Sequence, residues 1–442
     1  MIAFKLRPQS TEGSRSVYCC WRKKIMAIRV AVIGAGAAGL CAVRHLTARP
    51  SIFHTVCFDK NSIEGGTWIY TEETGSDKYG LPVQSSMYKN LRTNLPKEVM
   101  AFPGFPFRSS LPSFIKHDDV LEYLQEYTKH YDLHKCIKFE TLVQHVRPEV
   151  HGDKTQWHVS YSNVGQRDET KTEIFDVVMV CNGHYEVPLY PKIPGLDDFE
   201  GDVIHSHCYR HPEQFTGKRV VCLGAAASGQ DIALYMSHNK AMLQTVLPDN
   251  VEQRPGIKQL NKHSVIFKDD SEEDIDVLLL CTGYLYNFPF LSEDIGLQVE
   301  EERIWPLYKH VIHTHYPSLS FIGILKTICP FPAFDMQVRF VIAGIDGSMP
   351  LPSEEEMNKD IDKDFKLRLS EGLPVRYAHN MGPRQWRYND GLAEMAKIKP
   401  LPEVVEKLYD YVHETRVKDI AGYKSVNYSI EGDKDMFKVV ET

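Results

Sequence analysis

The chain of 442 residues carries ten cysteines but no Cys-x-x-Cys pair. Dithiol redox chemistry of the Cys-x-x-Cys kind is therefore not expected. Cys41, Cys57, Cys181, Cys222 and Cys281 lie in apolar strand or helix contexts and read as buried small hydrophobes in a reducing compartment. Long apolar runs are also missing. The stretch from Val30 to Val43 falls short of the ~20 residues a membrane helix needs. The C-terminus, Asp435-Met436-Phe437-Lys438-Val439-Val440-Glu441-Thr442, is too polar for an anchor. No membrane span is expected, and the location expected is cytoplasmic. An excess of positive charge is lacking too. The net charge of -8 argues against nucleic acid as the main partner. Residues 1–28 are almost without acid, with Lys5, Arg7, Arg15, Arg22, Lys23 and Lys24 against Glu12. They have no apolar h-region, so a secretory signal is not expected. Residues 1–27 read as a disordered extension, or as residues upstream of a start at Met26. Short-period repeats and low-complexity tracts are absent.

What remains is ordinary globular material, 43% hydrophobic and 25% charged, long enough for two or three domains. Its most informative feature is a pair of glycine turns, each following a short apolar run. The first is Gly34-Ala35-Gly36-Ala37-Ala38-Gly39, after Val30-Ala31-Val32-Ile33. Gly34 allows a tight turn, Gly36 lets the backbone approach a pyrophosphate, and Gly39 permits close packing of helix on strand. A helix over about Ala37 to Ala48 then offers its N-terminal N–H groups and dipole to phosphate. The strand Thr55-Val56-Cys57-Phe58 ends at Asp59, about 20 residues beyond the turn, where an acid accepts from ribose hydroxyls. Asp59 would repel a 2′-phosphate, so this unit suits FAD or NAD.

The second turn, Gly224-Ala225-Ala226-Ala227-Ser228-Gly229, follows Arg219-Val220-Val221-Cys222-Leu223. Ala226 stands where the middle glycine belongs, and its methyl would crowd a pyrophosphate. Ser228 and Gly229 open a plausible helix, and Ser228 can donate to phosphate. Two such turns mean two dinucleotides, most simply a flavin and a nicotinamide. Asp249 lies about 20 residues past Gly229, a spacing that favours NADH. Two buried strands have similar ends: Val177 to Cys181 runs into Asn182-Gly183-His184, and Val277 to Cys281 into Thr282-Gly283-Tyr284. Between the first unit and the strand at Val177, a loop-rich stretch carries Gly65, Gly66, Gly75, Gly80, Pro82, Pro96, Pro103, Gly104, Pro106 and Pro112. A helix follows over about Asp118 to Tyr131, with Val120, Leu121, Leu124 and Tyr127 on one face.

Between the two turns stands Phe199-Glu200-Gly201-Asp202-Val203-Ile204-His205-Ser206-His207-Cys208-Tyr209. This Phe-x-Gly-x-x-x-His-x-x-x-Tyr pattern resembles the signature of flavin-containing monooxygenases. Glu64-Gly65-Gly66-Thr67-Trp68 is similar to the family's Gly-Gly-x-Trp element near the flavin. The segment from Leu91 to Met100 is similar to its Thr-Asn segment, and Cys281-Thr282-Gly283-Tyr284 to its Ala-Thr-Gly-Tyr strand end. The resemblance covers roughly residues 28 to 345, and the anchor-free form resembles insect and fungal members, including insect alkaloid N-oxygenases.

The resemblance implies an α/β fold with two Rossmann-like dinucleotide domains, the smaller NADPH domain inserted in the FAD domain. The expected division is an FAD-binding domain in two segments, 28–187 and 286–442, with the NADPH domain over 188–285 between them. It implies FAD and NADPH as cofactors, with Gly66, Thr67, Trp68, Thr93, Asn94 and Leu95 near the flavin. Gly224, Ser228, Gly229, Gln230 and Asp231 would lie near the nicotinamide nucleotide, and Lys240 or Arg254 near a 2′-phosphate. The implied reaction runs through a C4a-hydroperoxyflavin that oxygenates soft nitrogen or sulfur. Asn94 is the implied catalytic side chain, since an amide can donate and accept without taking a proton from the peroxide. The partners implied are O2 and a small amine, alkaloid or thioether; a homodimer is compatible with the sequence, which does not fix oligomeric state. His205 and His207 read as hinge contacts rather than metal ligands, His313 and His315 repeat their spacing, and no metal is expected. Phe331, Phe334 and Trp386 read as core before cavity. Two alternatives stand beside this reading. One is a Baeyer–Villiger monooxygenase, disfavoured by Arg210 after Tyr209. The other is an FAD-binding protein with an impaired nicotinamide site and no turnover.

Overall fold

The computed structural model describes residues 27–152, 154–224, 235–239, 245, 247, 251–431 and 436–440. Its centre is a seven-stranded sheet. From one edge to the other the order is Leu307–Tyr308, Ile312–His313, Leu319–Phe321, Val177–Val180, Ile28–Ile33, Phe53–Phe58 and Ile137–Lys138. The last five run parallel, and the first two form an antiparallel margin. Its central strands have no polar alternation because both faces are covered. Val30, Val32, Cys57, Val177 and Met179 face one apolar cluster, with the helices Ala37–Thr47 and Pro330–Ile345. Ala31, Ile33, Phe58, Val178 and Val180 face another, with Trp157, Val159 and Phe175. Those three belong to a three-stranded antiparallel sheet, Thr141–His151, Lys154–Asn163 and Gln166–Phe175.

A second sheet has five strands, all parallel, in the order Glu252–Pro255, Tyr235–His238, Val220–Leu223, Val277–Leu280 and Asp202–His205. All five fall in sequence between Val180 and Leu307, so the smaller nucleotide unit is inserted in the larger. The two chain crossings between the sheets pair with each other, Val187–Pro188 antiparallel to Tyr284–Leu285. The carboxyl ends of Val177–Val180 and Val277–Leu280 therefore lead into one ribbon.

Most expected elements lie close to where the sequence puts them. The first helix spans Ala37–Thr47 and the helix expected from Asp118 spans His117–His130. In the latter Tyr123 is buried with Val120, Leu124 and Tyr127, and its hydroxyl joins Phe102 N–H (2.8 Å) to Phe105 C=O (2.7 Å). Leu121 is half-buried over Gly65. The second nucleotide unit requires a correction. Its second strand is Tyr235–His238, pairing with Val221 to Leu223, so the residues that follow that strand are Asn239 and Lys240. The strand that corresponds to Phe53–Phe58 therefore ends at His238, so the spacing from Gly229 to Asp249 no longer argues for NADH; Asp249 lies outside the described residues. The crossover 224–234 is short against the connection 34–52 of the first unit.

The two helices under the first sheet are joined by a buried carboxylate–imidazole contact. His45 Nε2 lies 2.6 Å from Asp335, and Arg339 3.2 Å from its other oxygen. Burial works to raise the Asp335 carboxyl pKa, but His45 and Arg339 outweigh it and hold the carboxyl below its usual range. A depressed carboxylate adds stability above its unfolded pKa and loses it as pH falls through the folded one. Urea midpoints of the wild type should therefore fall steeply below about pH 4, and those of Asp335→Asn should fall less. Parallel profiles would contradict this. Among the described residues no helix is long and apolar enough to cross a membrane.

Candidate functional site

The site is built at the carboxyl ends of the parallel strands, where open α/β sheets bind ligands. Gly34 turns the chain at φ +106, and a Cβ there would lie 2.4 Å from the carbonyl oxygen of Cys181. Gly224 repeats this at φ +127, with a Cβ position 2.4 Å from the carbonyl oxygen of Cys281. The similar strand ends therefore do the same job: each carbonyl seats the first glycine of a nucleotide turn. Gly39 packs tighter still, its Cβ position 1.7 Å from the Gly34 oxygen. Gly36 differs. Its Cβ would meet only Gly66, at 3.4 Å, so the protein leaves that glycine room on its open side. No side chain caps the Ala37–Thr47 helix and no acid sits in its first turn. This N-terminus suits an anionic ligand.

Asp59 is buried and braces the turn. One oxygen accepts from Ala35 N–H at 2.5 Å, and the other accepts from the backbone and side-chain N–H groups of Asn61, both at 2.8 Å. Burial raises its carboxyl pKa against these hydrogen bonds. Lone pairs remain on both oxygens. Gly65 N–H donates to Ala35 C=O at 3.0 Å, which brings the short turn Gly66–Trp68 under the glycine loop. There the Thr67 hydroxyl is buried and has no partner among the described residues. Trp68 is half-buried and meets Phe331 edge-on at 6.4 Å.

Asn94 stands on a rigid platform. Thr93 N–H donates to Ile115 C=O (2.8 Å), Ile115 N–H returns to Thr93 Oγ1 (3.2 Å), and Lys97 N–H donates to Ser113 C=O (2.7 Å). Between these ties Asn94 is half-buried, and its amide makes no hydrogen bond with any described residue. Leu95 is half-buried and packs against two apolar clusters.

Several side chains take roles that the sequence does not signal. His184 donates from Nδ1 to Gly323 C=O at 2.9 Å, and Gly323 N–H donates to the buried Gln337 at 3.1 Å. Tyr286 donates to Ile324 C=O at 2.5 Å. The segment leaving the strand Leu319–Phe321 is thus held from three sides. Burial, with Lys326 nearby, pushes the His184 pKa down to about 4. Its Nε2 is a buried acceptor without a partner among the described residues. Lys60 bridges Pro82 C=O (3.1 Å) and Glu186.

His205 and His207 do lie at a junction. His205 Nδ1 accepts from His207 N–H at 3.0 Å, so its proton sits on Nε2 and points at Gly283 C=O, 3.1 Å away. His207 Nε2 donates to Val83 C=O at 2.9 Å. Burial, then the neighbouring His207, pushes the His205 pKa down to about 4. His313 is buried and accepts from Tyr316 N–H, while His315 pairs with Glu354. The sulfur, imidazole and carboxylate of Cys41, His45 and Asp335 do come within 4.8 Å of one another. Arg339 and His45 already engage that carboxylate, so we read an ion pair there. Phe331 and Trp386 are core residues, and half-buried Phe334 presses on Gly323. Ala226, Ser228, Gly229, Gln230, Asp231 and Lys240 lie outside the described residues. Arg254 is bound to Glu252 (2.9 Å) and Glu273 (3.0 Å).

Comparison with known proteins agrees with this geometry. A family model described as flavin-binding monooxygenase-like matches residues 27–248 and 239–408. Flavin-containing monooxygenase FMO GS-OX-like 4 of Arabidopsis thaliana is 36% identical, covering 86% of this chain and 90% of its own. Senecionine N-oxygenase of Tyria jacobaeae is 30% identical, covering 93% and 92%. The structure of S-allyl-L-cysteine S-oxygenase from Allium sativum superposes with a TM-score of 0.83 at 35% identity, covering 93% of this chain and 97% of its own. Plant and insect relatives both appear at these identities, which support the family rather than an insect-like branch. The chain belongs to the flavin-containing monooxygenase family and is an oxidoreductase of that type.

Proposed function

We propose that this protein uses NADPH and O2 to oxygenate a soft nitrogen or sulfur atom of a small amine, alkaloid or thioether. Bound FAD would supply the reactive oxygen, as a C4a-hydroperoxyflavin. The observation that carries the reading is the paired seating of Gly34 and Gly224 on the Cys181 and Cys281 carbonyls, with both strand ends entering one ribbon. Two dinucleotide units joined there suit hydride transfer between two cofactors. The names of the moth and garlic relatives, an N-oxygenase and an S-oxygenase, support both atom types.

The chain's own residues would share the work as follows. Gly34, Ala35, Gly36, Ala37, Ala38 and Gly39 would cradle the FAD pyrophosphate, and Asp59 would add a ribose contact. Gly66, Thr67, Trp68, Thr93 and Leu95 would line the ring, with the unpartnered Thr67 hydroxyl available to it. Asn94 would hold the reacting oxygen by hydrogen bonding while the apolar walls keep water out. Gly224, Ser228, Gly229, Gln230 and Asp231 would bind the nicotinamide nucleotide. The FAD domain would comprise 28–187 and 286–442 and the NADPH domain 188–285. Arg254 is engaged by two carboxylates, so Lys240 is the better partner for a 2′-phosphate.

Purified protein with FAD bound should oxidise NADPH with a kcat/KM about tenfold or more above that for NADH, the worth of one charged contact. It should convert a tertiary amine or thioether to its oxide with consumption of O2. Equal use of the two nucleotides would overturn the NADPH assignment. A stable flavin spectrum with no NADPH consumption would replace this reading with a non-turning-over flavin binder.

A further inference from the structure

We infer that Arg210 is a positioning residue: from the inserted nucleotide unit it clasps the loop 73–89 of the larger unit, and through that loop sets the flavin-side segment that leads to Asn94. Its catalytic consequence rests on the function proposed above; its geometry does not.

Arg210 is 3% exposed and pairs with no carboxylate among the described residues. Its two terminal nitrogens serve different segments. Nη1 donates to His207 C=O (2.7 Å) and Tyr209 C=O (3.0 Å), within its own stretch. Nη2 donates to Glu73 C=O (2.8 Å) and Ser85 C=O (3.3 Å), across the junction. Lys89 N–H returns to Arg210 C=O at 2.8 Å, and His207 adds its bond to Val83. The loop is thus gripped at both ends and near its middle. The contact continues from there. Ser85 Oγ donates to Thr67 C=O at 3.0 Å, inside the turn that carries Trp68. Lys89 stands just before Leu91, whose C=O accepts from His117 N–H at the start of the platform that holds Asn94.

A buried guanidinium held by carbonyls alone is costly, and here Nη1 and Nη2 carry the four bonds while Nε is buried without a partner among the described residues. Lysine offers a point charge and cannot bridge both segments. With the clasp loosened, water would reach the flavin side and turnover would become unproductive. Both electrons of NADPH would then pass to oxygen, as NADPH + H⁺ + O2 → NADP⁺ + H2O2, and no oxygen atom would reach substrate.

The test uses wild type, Arg210→Lys and Ser85→Ala, each with FAD bound. Two quantities are read: peroxide released per NADPH consumed, and the rate of tryptic cleavage at the exposed Lys78 and Lys89. Arg210→Lys should raise the peroxide share several-fold and speed cleavage in the loop, with FAD content and Tm close to wild type. Ser85→Ala removes no buried charge. It should raise the peroxide share by a smaller factor and leave cleavage unchanged, because it breaks the tie to Thr67 and a long bond from Met87 N–H (3.3 Å) but none of the bonds from Arg210. Wild-type peroxide share and cleavage in Arg210→Lys would overturn the proposal, as would a wild-type peroxide share in Ser85→Ala. Should Arg210→Lys not fold, Ser85→Ala decides. A wild type that consumes no NADPH would defeat the functional reading instead, and the cleavage comparison would still judge the clasp.

Discussion

Asn94→Ala should abolish oxygenation, by about 10²- to 10³-fold in kcat, and leave FAD bound. The size follows from removing one preorganised donor in a dry site. Its selectivity follows from the structure around it. Thr93, Ile115, Lys97 and Ser113 fix the backbone on both sides of Asn94 without using its side chain. The amide itself engages no described residue, so its loss costs the fold almost nothing. Asn94→Asp should fail as well, because a carboxylate cannot donate to the developing oxyanion. The check is product formation beside the visible flavin spectrum. Loss of bound flavin together with activity would mean that Asn94 holds the ring, not the oxygen.

The second large effect separates two glycines in one turn. Gly39→Ala should destroy the fold or give colourless protein, because its methyl would sit 1.7 Å from the Gly34 carbonyl oxygen. Both partners are backbone, so no side chain can yield, and a loss above about 4 kcal/mol is expected. Gly36→Ala should fold normally, since its methyl would meet only Gly66 at 3.4 Å. It should nonetheless bind FAD far more weakly, because the methyl fills the approach to the pyrophosphate. Urea unfolding and flavin titration of the two variants check this. Equal FAD affinity in Gly36→Ala and wild type would remove the turn from the proposed site.

Both predictions start from residues legible in the sequence, and the reason is local. A strand, a glycine turn and a helix constrain one another within a short window, and their residue types follow from that geometry. The likeness of the Cys181 and Cys281 strand ends was readable too, although its meaning needed Gly34 and Gly224 seated on those carbonyls. What stayed hidden depends on distance along the chain. His184 stands in the strand-end pattern, but its role comes from Gly323 and Gln337, far away in sequence. Arg210 likewise acquires its role from Glu73 and Ser85. The three-stranded sheet over 141–175 went unread although Trp157, Val159 and Tyr161 alternate, and its outer strand Gln166–Phe175 is almost wholly polar and exposed. Asp59 reads as a ribose ligand from its spacing; its second task, bracing the turn through three N–H groups of Ala35 and Asn61, depends on side-chain geometry that the spacing does not carry. The strand Tyr235–His238 was missed because only a short crossover precedes it.

The most direct test of the account is rapid mixing of the NADPH-reduced protein with oxygen, followed by absorbance. A lasting intermediate with a C4a-adduct spectrum is expected, decaying faster when a thioether or tertiary amine is present. Direct return to the oxidised flavin spectrum, with no intermediate and no dependence on such a substrate, would contradict it.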